Sequence, residues 1–172
     1  MVRFGILVAS DSRSSGGSRV DQCIPALREF LEKNGHAVTL TAIVPDEVDP
    51  LREKILMMAT SGLADVVLTS GGTGVSPRDV TPEATIPLLE RELPGIPEAM
   101  RAASLKKTVR AVISRAVAGL IGDVLVINLP GSPKGAVENL EAVHLAIAHL
   151  VDKAKGDPSQ CASSGQGAGQ HE

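Results

Sequence analysis

Four short runs dense in Val, Ile and Leu constrain this chain more than any other feature: residues 4–9, 38–44, 65–69 and 124–129. Their length predicts strands. Three of them lack polar alternation, the pattern of strands covered on both faces of a parallel sheet. The run 38–44 alternates more, which places it nearer a sheet edge. Helical patterns fall between the runs. Residues 21–34 set Ile24, Leu27, Phe30 and Leu31 on one side and stop at Gly35. Asp49-Pro50, Thr81-Pro82 and Ser132-Pro133 each read as an N-cap followed by proline at the first helical position. A single last helix is expected from Pro133 through Leu150, with Ala136, Leu140, Val143 and Ile147 on its apolar side. In residues 94–122, a helix is expected over 97–105, and 115–120 pairs antiparallel with 124–129 around Gly122-Asp123. The order predicts an α/β fold, three-layer α/β/α, with a mostly parallel sheet.

Composition narrows the function classes. The net charge is −3 and only 1% of residues are aromatic, with no Trp or Tyr. A nucleic-acid or membrane-surface partner is disfavoured, because the first two need a basic face and single-strand binders need stacking rings. A bound nucleotide base would rest on aliphatic side chains and backbone. Two cysteines, Cys23 and Cys161, predict neither a disulfide framework nor a zinc site. No apolar stretch reaches the roughly 18 residues of a membrane span. These features lead to the expectation of a cytoplasmic protein. From Gly156 onward Gly, Ser, Gln and Ala dominate. One domain over 1–155 and a disordered tail over 156–172 are expected.

In an open α/β sheet, ligands bind beyond the carboxyl ends of the strands, so the loops after strands carry the chemistry. The third strand runs into Thr69-Ser70-Gly71-Gly72-Thr73-Gly74. Such a loop can turn consecutive N–H groups toward an anion or serve as a plain connection. It matches neither the Walker A nor the Rossmann spacing. The last strand runs into Leu129-Pro130-Gly131-Ser132-Pro133-Lys134-Gly135, a tight turn at a helix N-terminus and a second anion candidate. Asp46 follows the second strand, and Asp79 follows the first glycine loop. Two loop carboxylates beside a polyphosphate suit Mg²⁺; taken singly, a loop aspartate more often closes an Asx turn or pairs with an arginine, here Arg78 or Arg52. Ser10-Asp11-Ser12, Ser104 and Ser114-Arg115 are further polar anchors.

Taken together, Ser10-Asp11-Ser12, Val44-Pro45-Asp46-Glu47, the stretch LTSGGTGVSPRDVTPEAT from Leu68, Ile113-Ser114-Arg115 and LPGSPKG from Leu129 resemble the molybdopterin adenylyltransferase family. The same domain forms the N-terminal part of gephyrin. The resemblance spans about residues 3–153. It implies a molybdopterin-binding-like fold assembled as a homotrimer. The implied reaction joins ATP and molybdopterin with Mg²⁺, giving adenylylated molybdopterin and pyrophosphate. By the same resemblance, Asp46 and Asp79 are the catalytic and metal-binding residues. Gly71, Gly72, Thr73, Gly74, Gly131 and Ser132 bind ATP and phosphate, and Ser104 and Ser114 bind molybdopterin. Two departures stand out: Cys23 where the family usually has Gly, and Thr108-Val109 where Thr-Pro is common. A side chain at Cys23 that narrowed the pocket would favour the alternative of a molybdopterin-binding homologue with little or no turnover.

Overall fold

A computed structural model describes residues 1–11 and 21–158. Most of the loop after the first strand, and the expected tail from residue 159, lie outside the described residues. The elements run β1 (Arg3–Ala9), α1 (Cys23–Lys33), β2 (Ala37–Val44), α2 (Val48–Thr60), β3 (Val66–Ser70), α3 (Thr81–Thr85), β4 (Arg91–Glu92), α4 (Gly95–Leu105), β5 (Ala118–Ile121), β6 (Val124–Leu129), α5 (Pro133–Glu141) and α6 (His144–Ala154). A 3₁₀ turn at Val109–Ile113 follows α4.

The six strands order as β2-β1-β3-β6-β5-β4. β2, β1, β3 and β6 are parallel, while β5 and β4 add antiparallel. β2 lies at the edge, as its alternation predicts. Alternate residues feed two cores. Phe4, Ile6, Leu68 and Ile127 pack under α1, α4, α5 and α6 through Leu27, Met100, Leu140 and Ile147. Leu7, Val67 and Val126 pack under α2 and α3 through Leu51, Ile55 and Ala84. The strands between the helical layers are therefore apolar on both faces.

Three local expectations are corrected. α2 begins at Val48, so Asp49 lies in its first turn rather than at the cap, and Pro50 is tolerated there because first-turn N–H groups have no helical partner. Thr81 is the first residue of α3, not its cap; its hydroxyl donates to Gly71 O instead (2.8 Å). The last helix is two helices. Val143, at φ −125°, leaves the helical path between them and buries its side chain beside Leu140 and Ile147. Ser132 is the N-cap expected, its hydroxyl accepting from Gly135 N at 3.2 Å. β4 has only two residues and no counterpart among the predicted strands.

The chain leaves β1 for β2 on one side, yet β3 lies on the other side of β1. That divergence opens a crevice at the carboxyl ends of β1 and β3. The loops carrying Asp11, Asp46, Gly71 and Gly131 all emerge at this end of the sheet.

Candidate active site

The first glycine loop is defined by where its carbonyls go. Gly71 O accepts from the Thr81 hydroxyl and Gly72 O from Thr81 N (3.0 Å). Thr73 O accepts from Arg115 N (2.9 Å) and Gly74 O from Arg115 Nε (2.6 Å). Four successive carbonyls therefore face α3 and Arg115. Across a trans peptide the following N–H points the opposite way. The N–H groups of Gly72, Thr73, Gly74 and Val75 therefore point away from those partners, and no described residue accepts from them. Four successive donors left unspent are available to an anion.

Glycine is required here at particular points. Gly71 sits at φ +107°, and a Cβ on it would lie 2.6 Å from Ala9 O. A Cβ on Gly74 would lie 2.8 Å from Asp79 Oδ2.

A buried polar chain anchors the loop from below. Asn128 on β6 donates to the hydroxyls of Thr69 (2.9 Å) and Thr85 (3.0 Å). Thr85 in turn donates to Thr81 O (2.8 Å). The second loop is tied alongside: Ser70 Oγ donates to Pro130 O (2.9 Å), and Gly71 N to Leu129 O (3.2 Å).

The carboxylates gather beside this loop. Asp46 and Asp11 bind reciprocally: Asp11 N donates to Asp46 Oδ2 (3.1 Å) and Asp46 N to Asp11 Oδ1 (3.0 Å). Arg78 closes on Asp11 through Nε at 3.0 Å, with Nη2 alongside. Asp79 Oδ2 accepts from Ser76 N (2.8 Å), three residues back, while Asp79 N donates to Ser76 O (2.9 Å), so the two residues close the loop reciprocally. Asp79 therefore has a local loop-closing role, though not the Asx turn expected, and Arg78 pairs with Asp11 rather than with either predicted aspartate. Oδ1 of Asp46 and Oδ1 of Asp79 accept from no described residue. Burial pushes the Asp46 carboxyl up, and the nearby charges of Asp11 and Asp79 push the same way. The Asp11 amide and Arg78 oppose them. Asp11 itself is held low by Arg78.

No group of three or more His, Cys, Asp or Glu side chains among the described residues is arranged to hold a metal unaided. Two carboxylates under mutual repulsion, each with a spare oxygen, suit a dication that also takes phosphate oxygens.

Arg115 joins the two halves of the site. Besides Gly74 O, its guanidinium donates to Asp79 O (2.5 Å) and pairs with Glu83, whose carboxyl it holds low. Sequence reasoning named Arg115 only as a polar anchor. Its carbonyl partners leave no trace in sequence. Asn128 did carry a signal: an amide in an otherwise apolar strand must find partners inside.

A cavity of about 250 Å³ adjoins the loops, bounded by Thr73, Ser104, Ser114, Ser132, Glu138 and Asn139. Both predicted pterin-side serines line it. Ser104 Oγ accepts from Asn139 Nδ2 (3.0 Å), and Ser114 O from Arg101 (3.4 Å). Cys23 does not line this cavity; its buried thiol donates to Gly131 O (3.2 Å). Lys134, unexpected in a first helical turn, is 87% exposed and lies 4.0 Å from Glu138.

Residues 5–149 match the model of a probable molybdopterin binding domain. A molybdopterin adenylyltransferase of Helicobacter pylori is 40% identical over 161 residues, covering 92% of this chain and 91% of its own. The Escherichia coli molybdopterin adenylyltransferase is 39% identical over 155 residues, covering 87% and 77%. Among solved structures, the molybdopterin biosynthesis enzyme MoaB of Thermus thermophilus superposes with a TM-score of 0.84 at 46% identity, covering 92% of this chain and 99% of that one. The parallel sheet, the loops at its carboxyl edge and these likenesses agree: the chain belongs to the molybdopterin-binding domain family of molybdenum cofactor biosynthesis.

Proposed function

We propose that this chain is a nucleotidyltransferase that adenylylates molybdopterin with Mg²⁺-ATP. The observation that carries the reading is the row of unspent N–H groups at Gly72–Val75 beside the spare oxygens of Asp46 and Asp79. Support also comes from the relatives at 39–40% identity, which are named molybdopterin adenylyltransferases. The terminal phosphate oxygen of molybdopterin attacks the α-phosphorus of ATP. The bond from that phosphorus to the bridging oxygen breaks, and pyrophosphate leaves with its electron pair. The nucleophile is already an anion, so no strong general base is needed.

Asp46 and Asp79 would hold Mg²⁺, which when bound supplies positive charge to the phosphate oxygens and the departing pyrophosphate. The glycine-loop N–H groups receive phosphate oxygens, and Gly131 with Ser132 frames the second side at the N-terminus of α5. Ser104 and Ser114 face the molybdopterin. Cys23, turned inward and absent from the cavity lining, gives no support to a non-turning binding homologue. The same reading carries a single catalytic domain over 1–155, a homotrimer and a cytoplasmic location; light scattering after gel filtration tests the trimer. No helix among the described residues is long and apolar enough to cross a membrane.

The deciding experiment incubates the protein with molybdopterin, ATP and Mg²⁺ and follows pyrophosphate. Release that requires molybdopterin is expected, with Asp46→Asn and Asp79→Asn each slowed about 10²–10³-fold. No release, or variants as fast as the parent chain, overturns the reading.

A further inference from the structure

Glu138 is out of place in its cavity. The surrounding side chains include Arg101, Lys107 and Arg110, a rim suited to anions. A carboxylate in that wall repels the phosphate such a rim attracts. Its ion pairs do not account for it either. Lys107 (3.0 Å) and Lys134 (4.0 Å) approach the same oxygen, Oε1, and both lysines are largely exposed, where such pairs add little. Oε2 accepts no hydrogen bond from a described residue.

Asn139, the next residue, is in a related state. Gly135, Glu138 and Asn139 share one face of α5 by their spacing. The Asn139 amide nitrogen spends both protons, on Gly135 O (2.8 Å) and Ser104 Oγ (3.0 Å). Gly135 O can only accept, so the nitrogen faces it and the amide oxygen is left without a described donor. The cavity wall therefore offers two adjacent acceptors, Glu138 Oε2 and Asn139 Oδ1, that take a hydrogen bond from no described residue.

We propose that Glu138, with the Asn139 amide oxygen beside it, reads the N–H edge of the pterin. This rests on the adenylyltransferase reading and adds to it the residue that selects the ring. A 2-amino-4-oxopyrimidine ring presents its 2-amino group and the N3–H side by side, and a carboxylate accepts from both. Adenine presents an amino group beside the bare N1 lone pair, which a carboxylate repels. Glu138 thus sorts the two substrates, admitting the pterin here and leaving the adenylyl end to the glycine-loop side. Guanine carries the same edge as pterin, and the test separates the two.

The probe is 6-hydroxymethylpterin phosphate, whose fluorescence is read free of overlap because the chain has no Trp or Tyr. It is compared with the matching lumazine, which bears a 2-oxo in place of the amino group, and with guanosine monophosphate as competitor. Mg²⁺-ATP binding is measured separately by calorimetry. The parent chain is expected to prefer pterin over lumazine by about 10–100-fold. Glu138→Gln should shrink that preference to about threefold or less and leave Mg²⁺-ATP affinity unchanged. If circular dichroism finds the Gln variant unfolded, Glu138→Asp replaces it, with an intermediate preference expected.

An unchanged preference in the variant overturns the role of Glu138 while leaving the adenylyltransferase reading intact. Equal binding of pterin and lumazine by the parent chain does the same. Guanosine monophosphate binding more tightly than the pterin overturns the pterin assignment of the edge. Mg²⁺-ATP bound with neither pteridine bound overturns the adenylyltransferase reading, and this inference with it.

Discussion

Asp65 and Asp46 are the same residue at opposite ends of one sheet, and their surroundings drive them in opposite directions. Asp65 precedes β3 at the amino edge, with its side chain 5% exposed. It accepts from Arg3 N (2.8 Å), Arg3 Nη2 (2.8 Å) and Lys155 Nζ (2.6 Å). Those donors hold its carboxyl far below the usual range, against the burial that would raise it. Asp46 follows β2 at the carboxyl edge, where burial and neighbouring carboxylates push it up. The amino edge closes its charge internally and fastens α6 to the base of the sheet. The carboxyl edge keeps charge and N–H groups unspent. A buried carboxylate whose donors are all present reads as structure, and one held among other acids reads as a place for a cation.

The largest effect expected breaks the comparison at its active end. Asp79→Asn and Asp46→Asn should each lower kcat for adenylylation about 10²–10³-fold, while Asp65→Asn leaves kcat within about twofold. An Asp65 variant as inactive as the other two would erase the distinction between the edges.

Stability should respond the other way round. Asp65→Asn should cost about 2–3 kcal/mol at neutral pH and lower the Tm by roughly 5–10 °C. A depressed carboxyl adds stability that is full above the ordinary carboxylate value near pH 4 and fades as pH falls through the folded-state value. Melting curves of variant and parent should therefore converge in acid.

Asp46→Asn has the opposite sign. Ionising a carboxyl whose value is raised by folding weakens the fold, and that loss grows as pH rises through the carboxylate range. The amide escapes it, so the Tm should rise slightly at neutral pH. A fall in Tm would mean that the bond from the Asp11 amide outweighs burial.

Gly74→Ala sharpens the picture within the active edge. The added methyl meets Asp79 Oδ2 at 2.8 Å, and the carboxylate must turn aside. About a tenfold loss of kcat is expected, with little change in melting temperature.

Much of this was legible before any coordinates. The apolar runs located the parallel strands because burial on both faces leaves no alternation to misread, and β2 revealed its edge position by alternating. β4 was invisible: Arg91 and Glu92 are two charged residues, too few for any pattern. The division of the last helix was missed because neither Gly nor Pro marks it; Val143 turns for packing reasons that arise only in three dimensions. In the site, Asp46, Asp79 and both glycine loops stood in loops after strands, where function was sought. The partners of Arg115 were hidden because it binds main-chain carbonyls, which every residue possesses. Glu138 carried no signal at all, since nothing along the chain announces that Lys107 meets it in the wall of a cavity.

The inward fastening of the Gly71–Gly74 carbonyls has a thermodynamic consequence. A loop whose backbone is already held at every peptide has little freedom left to surrender when a triphosphate arrives. Nucleotide association should carry only a small ordering entropy and proceed without a slow rearrangement step. Loosening Thr81 would leave the contacts to phosphate nominally unchanged while making each of them costlier to form.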